Sequence, residues 1–254
     1  MRNRDPLPRQ KKVVTEMKRT VFLMVAAALV FLVPSVLGQN TAMYFNGGYQ
    51  GSNWTYNGET VGTGFYDGSI NGVQVGPGQP GGPGMICDDF SHNIYSGESW
   101  TANGINASSL ASNLGQTLYG ATLGFKQALV IYTQVAYLVN QMFTTPNLTG
   151  DKQAAYSEAI WALTGGVDKS TLTGDALTFY NQALGANVSL TQYANLWLYT
   201  PSPLGQPGQA QEMWGLVPVP EGGTAMAYLL LAGFSCCGAM LLRSRRQVRA
   251  GGSA

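Results

Sequence analysis

The sequence predicts an α+β fold: an antiparallel β-rich N-terminal part, sandwich-like or barrel-like, then a helical part, and one C-terminal transmembrane helix. Three observations carry this prediction. Residues 43–105 alternate aromatic or β-branched residues with polar ones, between Asn-Gly and Asp-Gly pairs typical of tight turns. Residues 108–198 change to apolar positions every three or four residues, the period of a helix. Residues 224–242 carry no charge at all.

The first 38 residues have the features of an export signal. Lys18 and Arg19 precede an apolar run at residues 21–33, and small residues follow it. We expect cleavage between Gly38 and Gln39. The run is shorter than the roughly 20 residues of a membrane span, although an uncleaved anchor is the alternative interpretation. A complete signal begins at Met17, so residues 1–16 form an N-terminal extension. Translation could start at Met1 or at Met17.

The β-rich part is predicted from its turn residues. Asn-Gly or Asp-Gly pairs at 46–47, 57–58, 67–68, 71–72 and 103–104 tolerate positive φ and favour hairpin turns. Residues 76–84 contain only glycine, proline and one glutamine, so they are predicted to form a loop.

The helical part begins with an amphipathic segment at residues 126–143, whose apolar stripe faces a core. A second helix is expected over residues 151–164, capped by Asp151 and stopped by Gly165. Shorter helices are predicted over residues 173–185 and 191–199, followed by a loop at 201–211 and a last strand near 212–219. Residues 39–214 are therefore predicted to form one exported α+β domain.

The chain ends in three segments of different chemistry. Residues 215–223 are a Pro/Gly linker, and residues 224–242 would span about 28 Å as a helix. Arg243, Arg245 and Arg246 follow at once, which predicts a basic cytoplasmic tail at 243–254. A buried core helix is the alternative for the apolar segment.

This three-part order resembles the PEP-CTERM sorting signal of bacterial exosortase systems. The motif is Val219, Pro220, Glu221, Gly222 and Gly223; Gly222 stands where a second proline is commoner. The resemblance implies an exosortase-type processing enzyme as partner, cleavage near the motif, and release to the cell surface or extracellular matrix. Pro218 and Pro220 keep the backbone extended, as a peptidase cleft requires. A plain single-span anchor is the alternative.

The charge distribution argues against a nucleic-acid partner. Residues 39–223 contain three lysines, no arginine and eleven acidic residues, a net charge of −8. Nucleic-acid binding needs clustered basic residues that replace counterions. The acidic body is predicted to lie outside the membrane, and the basic tail inside.

The stretch at 85–102, with residues 156–163, resembles the thioester-type domains of bacterial surface proteins. In those adhesins a cysteine joins a glutamine placed just before an Ala-Ile-Trp segment. Cys87 matches the cysteine, but Ser157 occupies the glutamine position and has no carboxamide. Gln153 lies one turn upstream. Cys87 and Ser157 are therefore predicted to be a relic of such a site, and a covalent thioester adhesin is the alternative function.

No cofactor, metal or catalytic set is predicted. The chain has one histidine, so Cys87, Asp88, Asp89 and His92 lack the ligands of a usual zinc site. Residues 67–72 contain side-chain oxygens that could bind calcium, but a hairpin turn explains this segment better. Asp88 and Asp89 are adjacent and face opposite sides of a strand; Glu98 and Glu158 could be recruited, so a secreted hydrolase is a weaker alternative.

Aromatic residues among Asn, Gly and Ser suggest envelope polysaccharide as a partner, with burial in the β-core as the alternative. They are Tyr44, Tyr49, Trp54, Tyr56, Tyr66, Tyr95 and Trp100. The sequence thus predicts a non-catalytic bacterial surface or matrix protein, exported, membrane-anchored and then processed.

Overall fold

The computed structural model describes residues 39–206 and 208–217 of the 254-residue chain. Strands in this part are β1 (Gln39–Tyr49), β2 (Trp54–Tyr56), β3 (Glu59–Val61), β4 (Tyr66–Ile70), β5 (Val73–Val75), β6 (Ile86–Cys87), β7 (Ser99–Asn106), β8 (Trp197–Pro201) and β9 (Met213–Gly215). Its α-helices are α1 (Leu110–Asn113), α2 (Leu118–Leu123), α3 (Phe125–Thr144), α4 (Gly150–Thr164) and α5 (Gly174–Gly185). The predicted signal, sorting motif, membrane span and arginine stop lie outside the described residues.

The predicted α+β class with an antiparallel sheet is confirmed. Seven strands form one sheet in the order β5-β4-β1-β7-β8-β9-β6, and every adjacent pair is antiparallel. Strands β2 and β3 form a separate hairpin. The sheet is curled, and a bridge joins its far ends: Tyr66 at the start of β4 and Met85 just before β6 exchange backbone hydrogen bonds of 2.7 and 2.9 Å.

Two of the five predicted turn pairs form hairpin turns. Asn57-Gly58 and Asn71-Gly72 both have positive φ and connect β2 to β3 and β4 to β5. Asn46-Gly47 instead lies at a register shift within β1, where Gly47 has a φ of 97°.

The pairs at 67–68 and 103–104 lie inside β4 and β7, so the hairpin prediction is wrong there. Gly68 shows why a strand interior can need glycine. A Cβ at this position would lie 2.0 Å from the carbonyl oxygen of Tyr44 on the adjacent β1. The glycine therefore permits close backbone approach within the sheet rather than a turn.

The long amphipathic helix is confirmed as α3. Its predicted stripe is buried throughout, consisting of Ala128, Ile131, Tyr132, Val135, Leu138, Val139 and Met142. The ring of Tyr132 packs 6.3 Å from that of Trp214 in β9, which joins the helix to the sheet. Both side chains are fully buried, so the core lies where α3 and α4 meet the sheet.

Helix α4 ends as predicted but begins differently. Gly165 takes the left-handed conformation at its C-terminus. The N-cap is Thr149, whose side chain accepts from the backbone N–H of Lys152, so the prediction of Asp151 as cap is wrong. Asp151 lies in the first turn instead, where its carboxylate accepts a hydrogen bond from the Ser52 hydroxyl. A negative charge at this position is favourable to the helix dipole.

The chain returns to the sheet after its helices, which corrects the predicted order of a β-part followed by a helical part. The helix predicted over 191–199 is a 3-10 turn at Leu190–Tyr193 followed by strand β8. Strand β8 pairs with β7 on one side and β9 on the other. Four of its five residues are buried, so the strand lacks the alternating pattern that marks a half-exposed strand in sequence. Packing continues to Val217, which is buried.

Within residues 39–206 and 208–217, none of the helices combines the length and apolar character needed to cross a bilayer.

Candidate functional site

The stretch that begins at Cys87 is buried at its start and reaches the surface a few residues later. Cys87 lies in β6, opposite Met213 of β9. Its Sγ donates to the Asp89 carbonyl at 3.2 Å and accepts from the Asp89 N–H at 3.3 Å. Burial raises the pKa of the Cys87 thiol well above its usual value, and the nearby charges of Asp89 and Asp88 add to the shift. The thiolate, which is the reactive form, is therefore disfavoured.

Asp88 and Glu212 form a buried pair of carboxyl groups. The Asp88 N–H donates to the Glu212 carbonyl at 3.3 Å, continuing the β6–β9 pairing by one residue. Opposite residues of an antiparallel pair carry their side chains on the same face, with Cβ atoms about 5 Å apart. Both side chains are fully buried. Among the described residues the only ion pair is between His92 and Asp89, so neither carboxyl has a cationic partner there.

Hydrogen bonds hold Glu212 from three sides. It accepts from the Tyr132 hydroxyl at 2.6 Å, from the Leu118 N–H at 3.1 Å and from the Thr200 hydroxyl. These bonds favour the ionised form, but removal from water outweighs them. Burial raises the pKa of Glu212 to about 7.

Asp88 is less well satisfied than Glu212. Its Oδ2 accepts from the Trp214 indole N–H at 2.7 Å, whereas its Oδ1 has no partner among the described residues. Burial, followed by the charge of Glu212, raises the pKa of Asp88 well above its usual range. An unpartnered buried carboxylate oxygen is costly when charged. The neutral acid is accordingly favoured at this position.

Asp89 and His92 form a local pair at the edge of this cluster. The His92 Nδ1 lies 2.6 Å from Asp89 Oδ2, and Asp89 Oδ1 accepts from the Ser91 N–H at 3.0 Å. Asp88 and Asp89 thus contact different partners, as expected for adjacent residues. Across the described ranges, no three Cys, His, Asp or Glu side chains come together in a way that could hold a metal ion.

The two α4 residues of the thioester comparison bind the loop before β4. Ser157 Oγ accepts from the Gly64 N–H at 2.9 Å. Gln153 Oε1 accepts from the Phe65 N–H at 3.2 Å, and its Nε2 donates to the Leu148 carbonyl at 3.2 Å. Both ends of the Gln153 carboxamide are therefore engaged with the backbone.

The oxygen atoms of the calcium candidate at 67–72 are also engaged with the protein. Asp67 Oδ1 accepts from Gln50 Nε2 at 2.9 Å, and Asn71 Oδ1 accepts from the Ala42 N–H at 2.9 Å. The segment forms part of β4 and its hairpin turn, which was the preferred interpretation of its sequence.

The seven candidate aromatic residues fall into two groups. Tyr66 is buried, and Trp54, Tyr56 and Trp100 are half-buried. Trp54 and Tyr56 stack at 5.1 Å and contact further rings of the core. The exposed group consists of Tyr44, Tyr49 and Tyr95.

Tyr49 and Tyr95 line a surface cleft of about 270 Å³. The other walls come from β1, the β2–β3 hairpin, the start of β4, residues 93–96 and Gln211. Tyr95 is 69% exposed, the largest value among the exposed apolar and aromatic side chains described. The aromatic pattern in the sequence included both tyrosines but did not indicate that they meet.

The sequence did not predict the positions or contacts of three residues in these sites. Glu212 and Gln211 stand in a loop-like stretch without any motif. Glu98, considered as a recruit for catalysis, instead accepts the Tyr95 N–H at 2.8 Å. Glu158, the other recruit, is half-buried on α4, and burial raises its pKa. No local signal marks Gln211 or Glu212, because part of the environment of each is made by a segment 80 or more residues away.

Comparison with protein-family models, with curated proteins and with solved structures gave no match for this chain.

Proposed function

We propose that this chain is a non-catalytic bacterial surface or extracellular-matrix protein, exported by its N-terminal signal and sorted through its C-terminal segment. The observation that carries the proposal is the order of three segments: the motif at 219–223, the uncharged run at 224–242 and the arginines at 243, 245 and 246. Cationic residues directly after a span are retained on the cytoplasmic side. The acidic body then lies outside.

The spacing of the segments supports processing by a membrane-embedded peptidase. Val217, the last residue that the structure describes, is buried, and the uncharged run begins at residue 224. The six residues between them reach about 20 Å at most when extended. The motif would therefore be presented close to the membrane surface, within reach of an exosortase-type enzyme.

The interior of the domain supports a structural or adhesive role over a hydrolytic one. Asp88 and Glu212 are opposite each other where β6 and β9 pair, and both are fully buried. Glycoside hydrolysis needs two carboxyl groups that flank a bound substrate. The buried Cys87 thiol with its raised pKa is likewise poorly placed for nucleophilic attack.

The test is mass spectrometry of the mature protein from the producing cells, fraction by fraction. We expect an N-terminus at Gln39, a C-terminus near residues 219–223, and recovery from the cell surface or medium. A matched pair of variants sharpens the test. Replacing residues 219–223 with a Gly-Ser segment of equal length should abolish C-terminal cleavage, whereas a four-residue Gly-Ser replacement of the loop residues 203–206 should leave it intact.

Two results would contradict the proposal. Protease added to intact spheroplasts could spare the domain, which would place it inside the cell. Alternatively, wild-type protein could be found only in the inner membrane with residues 224–246 still attached. That result would support a simple anchor and refute the sorting step.

A further inference from the structure

The cleft between Tyr49 and Tyr95 has the composition of a binding site for an uncharged ligand. All of its lining residues are neutral at pH 7, and its polar groups come from side chains such as Thr60, Asn93 and Ser96. Ligand sites combine aromatic walls with a few polar groups that fix orientation. The body around the cleft carries a net charge of −8, which disfavours an anionic ligand. A neutral molecule with an apolar face and a hydroxylated rim fits these walls.

Tyr95 is fixed in an exposed position by its own turn. Its N–H donates to Glu98 Oε2 at 2.8 Å, and its carbonyl accepts from the Glu98 N–H at 2.9 Å. The turn is joined to β1 because the Gly97 N–H donates to the Phe45 carbonyl at 2.8 Å. A large aromatic ring is thus held in water by an ordered backbone. Such an arrangement lowers the entropy cost of binding.

Tyr49 is fixed on the opposite wall. Its hydroxyl donates to Asn53 Oδ1 at 2.5 Å. Its ring lies against the backbone of Gly62, where an added Cβ would come within 2.6 Å of the ring. Glycine at position 62 therefore lets the ring lie flat against the hairpin. The exposed fraction of Tyr49 is 41%.

Gln211 forms an ordered part of the cleft wall. Its Nε2 donates to the His92 carbonyl at 2.5 Å, which orients the amide. Its Oε1 has no donor among the described residues, but this oxygen is buried and is not itself open to a ligand. Gln211 therefore shapes the cleft, and the polar groups on its exposed lining come from residues such as Asn93 and Ser96.

We propose that the cleft binds a neutral hexose unit of a polysaccharide, with the ring of Tyr95 stacked on the sugar and the exposed polar side chains of Asn93 and Ser96 hydrogen-bonded to its hydroxyls. A pyranose ring offers apolar C–H faces to an aromatic side chain and hydroxyl donors at its rim. The volume of about 270 Å³ lies at the small end of ligand pockets, which suits one or two rings of a longer chain. The proposal rests on the proposed function, since export brings the domain to envelope polysaccharide.

The test is isothermal titration calorimetry on the full-length protein in a polyoxyethylene detergent, because detergents with sugar headgroups would compete. The probes are maltohexaose, cellohexaose, and the neutral and acidic fractions of envelope polysaccharide from the producing cells. We expect binding to the neutral fraction and to at least one of the two oligomers. Tyr95→Ala should weaken that binding at least tenfold, which corresponds to about 1.4 kcal/mol, because truncating an aromatic hot-spot residue usually costs more than this.

Two matched controls separate stacking from a change in fold. Tyr44→Ala removes a tyrosine that is 37% exposed but lies outside the cleft, and it should leave the affinity unchanged. Tyr95→Phe keeps the ring and should retain affinity within about threefold. Binding to the acidic fraction alone, binding to none of the probes, or equal losses in Tyr95→Ala and Tyr44→Ala would each overturn the proposal. An exported and processed protein that fails to bind would refute the ligand while leaving the sorting function standing.

Discussion

Replacing Glu212 with glutamine should remove much of the pH dependence of the stability of the described domain. Burial raises the pKa of Glu212 from 4.5 in the unfolded chain to about 7 in the folded domain. Below pH 4.5 the group is protonated in both states. Between pH 4.5 and 7 the unfolded chain releases its proton while the folded domain retains it, so the free energy of unfolding falls as pH rises. Above pH 7 the loss is complete.

The magnitude follows from the two pKa values. Their difference corresponds to about 3 kcal/mol of the free energy of unfolding between pH 4.5 and pH 8. Asp88 acts in the same direction, because burial and the charge of Glu212 raise its pKa as well. Removing the Glu212 charge also relieves Asp88. The variant should therefore lose its own contribution and part of that of its neighbour.

Glutamine can occupy the site without leaving all its partners unpaired. With its amide nitrogen toward Tyr132, the carbonyl oxygen still accepts from Leu118 and Thr200, which are the other donors to Glu212. The Tyr132 hydroxyl then accepts rather than donates. We expect the variant to be more stable than wild type at pH 8 and to show no such gain at pH 4.5.

The assay is urea unfolding of the full-length protein followed by tryptophan fluorescence at pH 4.5, 6 and 8. All five tryptophans lie between residues 54 and 214, so the signal reports on this domain alone. At an m value of about 2 kcal/mol/M, the wild-type midpoint should fall by about 1.5 M across this range. Glu59→Gln is the control, since Glu59 is exposed. A decline in Glu212→Gln equal to that in wild type would refute the reasoning.

Three further predictions concern positions already described. Gly68→Ala should destabilise the domain by about 3 kcal/mol, because its Cβ would overlap the Tyr44 carbonyl; Gly72→Ala, with open space but a φ of 77°, should cost only about 1 kcal/mol in the same unfolding assay. Cys87 should react with a thiol reagent only after urea unfolding, because burial raises its pKa. In a peptide map the peptides that contain Cys87 and Gln153 should show their full calculated masses; a cross-linked pair of these peptides, lighter by one ammonia molecule, would instead indicate a Cys87–Gln153 thioester.

Much of the fold could be predicted from local pattern, and the errors have physical causes. The stripe of α3 was readable because one face of a long helix is buried and the other is not. Strand β8 was missed because four of its five residues are buried, so its sequence lacks alternation. The Asp67-Gly68 pair predicted a turn. Gly68 is instead required by the close approach of the neighbouring strand β1, which is distant in sequence.

The sites could be predicted only in part, because their environments are assembled by contacts that no local motif encodes. Tyr49 and Tyr95 were recognisable as aromatic residues in polar surroundings, but only the bulge in β1 and the turn at 95–98 bring them to one cleft. Glu212 could not be distinguished from a surface glutamate. Its burial depends on Tyr132 from α3 and Thr200 from β8.

Two segments of backbone contribute both to the cleft and to the buried carboxyl pair: residues 88–96 and residues 211–212. Gln211 lines the cleft, and its neighbour Glu212 is buried in the core; on the other segment Asp88 is buried and Asn93 lines the cleft. Adjacent residues of extended backbone face opposite sides. The interior hydrogen bonds of Asp88 and Glu212 therefore position the backbone from which the cleft wall projects. The distinctive stretch at 85–102 accordingly gains its importance from this shared placement rather than from a reactive cysteine.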